Sequence, residues 1–443
     1  MDSPMTESLI GFGALFSLIF LRMPIGFAMA LVGTVGFALM VDWGPAFAML
    51  GQSTFEGGFS YTLSVLPLFI LMGNLVTRAG ISNELYTAAY AFLGHRRGGL
   101  AMASVVACGG FAAVCGSSLA TAATMSKVAM PPMRKFGYHD TLATGSIAAG
   151  GTLGILIPPS VIMVIYGILT QADIGKLFMA GILPGLLGIA LYLAAIAVTT
   201  WLRPELGPPG ERMPWRERLM ALKGVAGMLA LFALIMGGIY GGFFTPTEAA
   251  GVGAFAAFLM ALARGRLTVP VLIDLLVDSA RTTAMLFVII IGATLFANFV
   301  TFAGFADALK DWVTGLNVPP LAVVLAIILI YLVLGCLIES ISMILLTVPI
   351  FYPIMIELDF GMDPDMILIW FCIIVVVMTE ISLITPPVGM NVFVLRGVLP
   401  DVDLQTIFRG IMPFLVSDFV RIALLVLFPT ISLLLPSLMR GAP

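Results

Sequence analysis

The chain has 443 residues, of which 60% are hydrophobic and only 10% charged, with a mean hydropathy of +1.11. Soluble domains carry about 25% charged residues, so this composition excludes a soluble fold and describes a protein that crosses a membrane many times. A net charge of -3 and the absence of a basic tail give no footing for nucleic acid or for a polybasic lipid anchor.

The apolar runs are long and continuous, unlike the short alternating strands of a membrane barrel, so the spans are helices. Cys108, Cys115, Cys336 and Cys372 all lie in apolar runs without paired metal spacing and read as small buried hydrophobes. The first residues, with Asp2 and Glu7 but no Lys or Arg, lack the basic start of a signal peptide. The first apolar run is therefore expected to stay as a membrane helix.

In chain order, residues 9–21 and 24–41 read as two spans joined tightly at Arg22 and Met23. Residues 42–61 are glycine-rich, carry Asp42 and Glu56 but no Lys or Arg, and suit an outer loop before a third span at 63–77. Within 82–93, Leu85, Tyr86, Ala89, Tyr90 and Leu93 mark a short amphipathic helix along the interface. Residues 98–133 fit neither one span nor two. A polar knot at Cys115, Gly116, Ser117, Ser118 and Thr121 divides them, and basic pairs (Arg96, Arg97 and Arg134, Lys135) flank both ends. Each arm has about 17 residues, at the short limit for crossing, so a re-entrant helical hairpin with its tip at mid-depth accounts for both length and charge.

Residues 141–169 hold Gly150, Gly151, Thr152, Gly154, Pro158 and Pro159 inside an apolar segment. Each Gly lowers helix propensity by about 1 kcal/mol relative to Ala, and each Pro removes a donor and clashes with the preceding turn. The segment is expected to be a helix broken near its middle. A further span at 176–201 and a polar loop at 203–223, with five basic residues and Pro204, Pro208 and Pro209, complete the first half.

The second half replays the first. Residues 224–240 and 247–263 are spans, 267–278 lies along the interface, and 282–301 is the next span. Phe305, Leu309, Trp312 and Val313 form a second amphipathic arm, and 319–356 a second hairpin with its knot at Cys336, Glu339, Ser340 and Ser342. Residues 365–395 are a second broken helix, in which Thr379, Glu380, Ser382 and Thr385 precede Pro386 and Pro387. Pro386 lies 228 residues after Pro158. A last span covers 411–435. Two interrupted segments at matching places in two halves point to a transporter's binding site.

Lys and Arg place 22, 96–97, 134–135, the 203–223 loop, 264–266 and 396–409 on the cytoplasmic side in one consistent path. The second hairpin is flanked by Asp307, Lys310, Asp311, Glu357, Asp359, Asp363 and Asp365, a set poor in basic residues, and is expected to enter from outside. The expected fold is thus an all-α polytopic membrane protein of two inverted-topology repeats, each with a re-entrant hairpin and a broken helix. One hairpin enters from each face and both tips meet at the midplane.

Helix N-termini at tips and breaks suit an anionic substrate group, and unwound carbonyls and hydroxyls suit Na⁺. Candidate substrate contacts are Ser117, Ser118, Pro158 and Pro159 in the first half and Glu339, Ser340, Pro386, Pro387 and Asn391 in the second. Candidate Na⁺ ligands are Ser118, Thr121, Gly150, Gly151, Thr152 and Gly154 for one site and Ser340, Ser342, Thr379, Ser382 and Thr385 for another. Any one of these hydroxyls can equally bond back to a carbonyl of its own helix. Glu339 can bind a cation or proton, but at the turn it reads first as a helix cap. Glu248, after Thr245 and Pro246, reads as a helix start signal. The only histidines, His95 and His139, lie in interfacial loops, and no phosphate-binding glycine loop is present. No enzymatic chemistry is indicated.

Gly116-Ser-Ser-Leu-Ala-Thr-Ala-Ala123, Gly151-Thr-Leu-Gly-Ile-Leu-Ile-Pro-Pro-Ser160, Phe244-Thr-Pro-Thr-Glu-Ala249 and Leu383-Ile-Thr-Pro-Pro-Val-Gly-Met-Asn391 resemble signatures of one family. It is the large membrane subunit (DctM-like) of tripartite ATP-independent periplasmic (TRAP) transporters, and the resemblance covers essentially the whole chain. It implies a sodium-coupled importer of organic acids in the bacterial inner membrane, working by an elevator motion. It also implies a separate small membrane subunit (DctQ-like) and a periplasmic substrate-binding protein (DctP-like). Residues 98–168 and 319–395 are then expected to form the moving transport domain, and 1–97, 169–318 and 396–443 the scaffold. The alternative is a Na⁺-coupled carboxylate or ion transporter of the same plan that works alone.

Overall fold

The computed structural model describes residues 4–315, 318–336 and 338–439. Helices Pro4–Phe20 (α1) and Ile25–Met40 (α2) follow the first two expected spans. The stretch expected to be an outer loop is instead a helix, Trp43–Phe59 (α3), opened by Asp42, whose carboxylate accepts from the Trp43 amide at 2.8 Å. Its glycines lower helix propensity without forbidding a helix. Only Ala46 and Ser53 are buried on it, and Trp43, Phe47, Phe55 and Phe59 stay exposed. A 54° bend leads through a 3₁₀ turn into Val65–Arg78 (α4). The amphipathic helix is Ile81–Leu93 (α5).

The first hairpin is Gly99–Cys115 (α6) and Ser118–Lys135 (α7), and the first broken helix is Asp140–Thr152 (α8), a 3₁₀ turn at Leu153–Ile155 and Val161–Thr170 (α9). Ile174–Leu202 (α10) is the expected span. Trp215–Tyr240 (α11) begins inside the stretch read as a polar loop. There Arg218 is buried and its guanidinium lies over the rings of Phe92 (5.9 Å) and Trp215 (5.1 Å), so a charge that suggested loop is part of a packed helix. Pro246–Ala263 (α12) opens with the reciprocal bonds of Thr245 and Glu248 that its sequence announced.

Val269–Phe302 (α13) is one helix of 34 residues where an interface helix and a separate span were expected. No Gly or Pro interrupts it between Val271 and Ile291, and buried Ser279 finds partners in the Leu275 carbonyl (2.8 Å) and the Asn74 amide (2.8 Å). Phe305–Gly315 (α14), Pro320–Gly335 (α15) and Ser340–Glu357 (α16) make the second arm and hairpin. Pro364–Ser382 (α17) and Met390–Val398 (α18) make the second broken helix. The last expected span is two helices, Leu404–Leu427 (α19) and Thr430–Leu438 (α20), because Pro429 cannot donate to the turn before it.

Seven described helices are long and apolar enough to cross a membrane, or eight if the bent pair α3 and α4 counts as one. The halves pack reciprocally: α2 lies on α13 and α12 on α4, while α7 lies on α18 and α16 on α9. Among the basic residues at the base of the first hairpin, Arg134 pairs with Asp140 (3.1 Å) and Asp401 (2.7 Å). Its own backbone amide and then Arg134 hold the Asp401 carboxyl below its usual range. The Gly98 amide donates to the Gly207 carbonyl (2.8 Å), and the His139 amide to Leu206 (3.1 Å), which fixes the central segment to the same end. The base of the second hairpin is tied separately, by Lys310 and Glu357 at 2.8 Å.

Close helix approach depends on missing side chains. A Cβ on Gly33 would stand 2.5 Å from the Leu295 carbonyl carbon and 2.6 Å from the Phe296 nitrogen, both backbone atoms of α13. Gly33→Leu is expected to lower stability by at least about 1–3 kcal/mol through overpacking, read as a lower unfolding temperature in detergent. Gly13→Leu, at a position with nothing within 4 Å, should leave that temperature unchanged.

Candidate transport site

The first tip and the first break meet. Ser117 caps α7 by accepting from the Ala120 amide (3.4 Å), and Gly116 turns the chain at φ 61°. A Cβ on Gly116 would lie 3.3 Å from the Pro159 carbonyl, and one on Gly154 would lie 3.3 Å from the carbonyl carbon and oxygen of Ser117. Gly151 lies likewise against Ala122 and Gly150 against Cys108. The residues expected at one site (Ser117, Ser118, Thr121, Gly150, Gly151, Thr152 and Gly154) are therefore brought together. Pro158 and Pro159 are buried beside them, joined by a cis peptide bond. Ser160 closes the break, donating to the Ile155 carbonyl (2.5 Å) and accepting from the Met163 amide (3.3 Å). The N-termini of α7 and α9 thus both open beside this tip.

The second tip repeats the arrangement with different side chains. Glu339 caps α16, accepting from the amide (3.4 Å) and hydroxyl (3.2 Å) of Ser342, as its place at the turn suggested. Ser382, at the end of α17, packs on Gly335, where its Oγ would stand 2.7 Å from an added Cβ. The Cys336 thiol points to the Pro386 carbonyl at 3.5 Å. Pro386 and Pro387, also joined by a cis bond, are exposed, unlike their buried counterparts in the first half. Asn391 is fully buried and joins the halves: its amide donates to the Ala148 carbonyl at 3.1 Å, while its own oxygen has no partner among the described residues.

Most candidate hydroxyls donate within their own helix: Thr121 to Ser117 (2.7 Å), Thr152 to Ala149 (2.7 Å), Thr379 to Val375 (2.8 Å), Ser382 to Thr379 (2.7 Å) and Thr385 to Ile381 (2.6 Å). Donation leaves the oxygen lone pairs for a cation. Ser340 has a buried hydroxyl with no partner among the described residues. Among the described residues no group of three or more His, Cys, Asp or Glu could hold a metal ion.

A cleft of about 680 Å³ opens beside the tips. Leu119, Glu339 and Met390 line it from the hairpin side, and Gly26, Met285 and Ile289 are among those facing them from α2 and α13. Glu339 is the one ionisable residue in that lining.

Sequence reasoning placed Glu380 at membrane depth but missed its charged partners. Arg421 of α19 is fully buried and pairs with Glu380 (2.6 Å) and Asp418 (2.8 Å), both also fully buried. Tyr192 of α10 donates to Asp418 at 2.8 Å and stands 3.5 Å from the Thr152 hydroxyl, and the guanidinium lies 5.8 Å from its ring centre. This chain of contacts runs from the second broken helix to the first. Gly188 leaves room for the guanidinium, which any Cβ there would meet. The signal was present, since Asp418 and Arg421 stand three residues apart in an apolar span, where ionisable groups are costly and few.

This bundle, with its two paired tips and breaks beside a cleft, is that of a polytopic helical membrane protein. Residues 12–431 match the family described as tripartite ATP-independent periplasmic transporter, DctM component, and the chain belongs to that family as a TRAP transporter large permease subunit. Relatives include the C4-dicarboxylate large permease DctM of Pseudomonas aeruginosa, 39% identical over 88% of this chain and 89% of that protein. The sialic acid large permease SiaM of Vibrio cholerae is 34% identical over 96% and 97%, and the ectoine large permease TeaC of Halomonas elongata 31% over 99% of each. The fold is also similar to that of the YdaH transporter of Alcanivorax borkumensis, with a TM-score of 0.62, 15% identity and 86% and 87% coverage.

Arg421→Met would leave Glu380 and Asp418 uncompensated in the core. Breaking a buried pair in this way costs about 3–5 kcal/mol, so a large drop in unfolding temperature is expected in detergent. Adding Glu380→Gln and Asp418→Asn should recover much of it. An unchanged temperature for Arg421→Met alone would contradict the pairing.

Proposed function

We propose that this chain is the membrane permease of a secondary importer that couples inward Na⁺ movement to uptake of an organic acid. The observation that carries the reading is the meeting of each tip with its break, where helix N-termini and freed carbonyls converge without a formal charge on the first site. Such termini attract a carboxylate, and unwound carbonyls with hydroxyl lone pairs suit Na⁺. One Na⁺ is assigned between Ser117, Ser118, Thr121 and the 150–154 break. The other is assigned between Ser340, Ser342 and the Thr379, Ser382 and Thr385 turn. The substrate is assigned to the cleft lined by Leu119, Glu339 and Met390, with Ser117, Ser118, Ser340 and Asn391, close to these in the chain, as candidate contacts. Names of relatives support an acidic substrate class: C4-dicarboxylates, sialic acid and isethionate are all acids.

The halves are read as inverted repeats in the bacterial inner membrane, on the strength of their reciprocal contacts and the charge difference between the hairpin bases. Both hairpins and both broken helices move together past the α2 and α13 side of the cleft. We place α10 and α19 with this moving unit, because sliding α17 past α19 would tear Glu380 from Arg421 in a dry core. A small membrane subunit and a periplasmic substrate-binding protein complete the system. The isethionate relative from Oleidesulfovibrio alaskensis, named a permease protein DctMQ, extends well beyond the match, which covers 62% of it.

Proteoliposomes holding this chain alone should take up no acid. Uptake should appear on adding the small subunit and the loaded binding protein, and should require an inward Na⁺ gradient. Robust uptake by the isolated chain would favour a transporter that works alone, and full uptake on a proton gradient alone would end the Na⁺ assignment.

Ser118→Ala removes one candidate ligand, and Gly154→Val fills the space against Ser117. Each is expected to weaken apparent Na⁺ affinity, with a loss of about 1–3 kcal/mol, the scale of one unsatisfied polar partner. Uptake against Na⁺ concentration measures this. Unchanged half-saturation in both variants would place the ion elsewhere.

A further inference from the structure

An open pocket of about 710 Å³ lies at the end of the molecule that carries the base of the first hairpin. The first turn of α8, the last turn of α10, the 3₁₀ turn Pro204–Leu206 and the early turns of α19 form its walls. Its charged lining is cationic. Arg203 and Arg409 line it beside the neutral polar groups of Thr141 and Thr199, and no carboxylate does. Arg203 and Arg409 are exposed, and their guanidinium groups form neither an ion pair nor a hydrogen bond with any described residue. Acids on the same elements are largely engaged elsewhere: Asp140 and Asp401 hold Arg134, and Asp403 caps α19 by accepting from the Gln405 amide at 3.2 Å. Glu205, in the 3₁₀ turn, does not line the pocket.

The rest of the wall is apolar and open to the side. Leu202 is 66% exposed, Met412 52% and Val416 62%, on two helices long and apolar enough to span the membrane. An occupant must therefore bring an anionic head for two unpaired guanidinium groups and long apolar tails for the groove between α10 and α19. Arginine binds phosphate oxygens by paired N–H bonds, and basic pockets between membrane helices on the cytoplasmic side suit anionic lipid headgroups. The surplus of Lys and Arg at this end puts the pocket on that side.

We propose that this pocket is a binding site for an anionic phospholipid, with its phosphate between Arg203 and Arg409 and its acyl chains along α10 and α19. The site does not rest on Na⁺ coupling or on any substrate. Because α8 carries the first break and α19 carries Arg421, a lipid bound here touches two elements of the transport site.

The test uses the chain purified with its small membrane subunit in neutral detergent. Phosphatidylglycerol, phosphatidylcholine and inorganic phosphate are offered separately. Bound lipid is counted by native mass spectrometry, and unfolding temperature is measured in parallel. Phosphatidylglycerol should be retained and should raise the unfolding temperature, whereas phosphatidylcholine and inorganic phosphate should do neither. Arg203→Gln with Arg409→Gln should cut phosphatidylglycerol retention at least tenfold while leaving the lipid-free unfolding temperature unchanged. Equal retention by the double variant would overturn the proposal, as would equal stabilisation by phosphatidylcholine. Stabilisation by inorganic phosphate matching that of the lipid would assign the arginines to a free anion. Retention by the isolated chain but not by the complex would assign the pocket to the protein partner.

Discussion

A peptide group released from a helix inside a bilayer has no water to bond, so every break in this chain must be met by other protein. That constraint explains where the breaks stand. Gly154 lies against Ser117, Gly116 against the Pro159 carbonyl, and Gly335 against Ser382, so each hairpin tip covers the interruption beside it. Asn391 extends the same rule across the halves, giving its amide to the Ala148 carbonyl of the first broken helix. Interruptions tolerated only because they face each other leave helix ends and carbonyls gathered at two places, which is the chemistry an ion and an anion need.

The charged centre answers a second cost. Arg421, Glu380 and Asp418 are all fully buried, and none is affordable alone in an apolar core. Together with Tyr192 they bind α10, α17 and α19, and the Thr152 hydroxyl at 3.5 Å brings the first break to the edge of the cluster. Rigid connection of the two breaks suits a unit that moves as one body. The far wall of the cleft beside Glu339 is apolar, formed by residues such as Gly26, Met285 and Ile289.

Periodicity and helix breakers made the architecture legible in the sequence. Paired prolines in both halves (after glycines in the first), and short arms around a polar knot, located both hairpins and both broken helices to within a few residues, because backbone cost is local. The missed elements depended on distant partners. Residues 43–59 looked like a loop because glycine suggests one, until α2 and α13 supply a surface for the helix. Arg218 looked solvated, but two aromatic rings receive it. The polar stretch around Asp278 and Thr282 looked like a boundary, yet no residue there stops a helix. At the site, hydroxyl positions were readable but Arg421 was not connected to Glu380, because their meeting depends on tertiary packing between α17 and α19.

The account stands on two interrupted units that open to opposite faces of the membrane. Single cysteines at Lys135 and Asp359, both exposed, in a background lacking the four native cysteines, test this without disturbing the Arg134 ion pairs. In right-side-out vesicles an impermeant thiol reagent should label the Asp359 position and spare the Lys135 position until the membrane is opened. Labelling of both positions from one face would contradict the account.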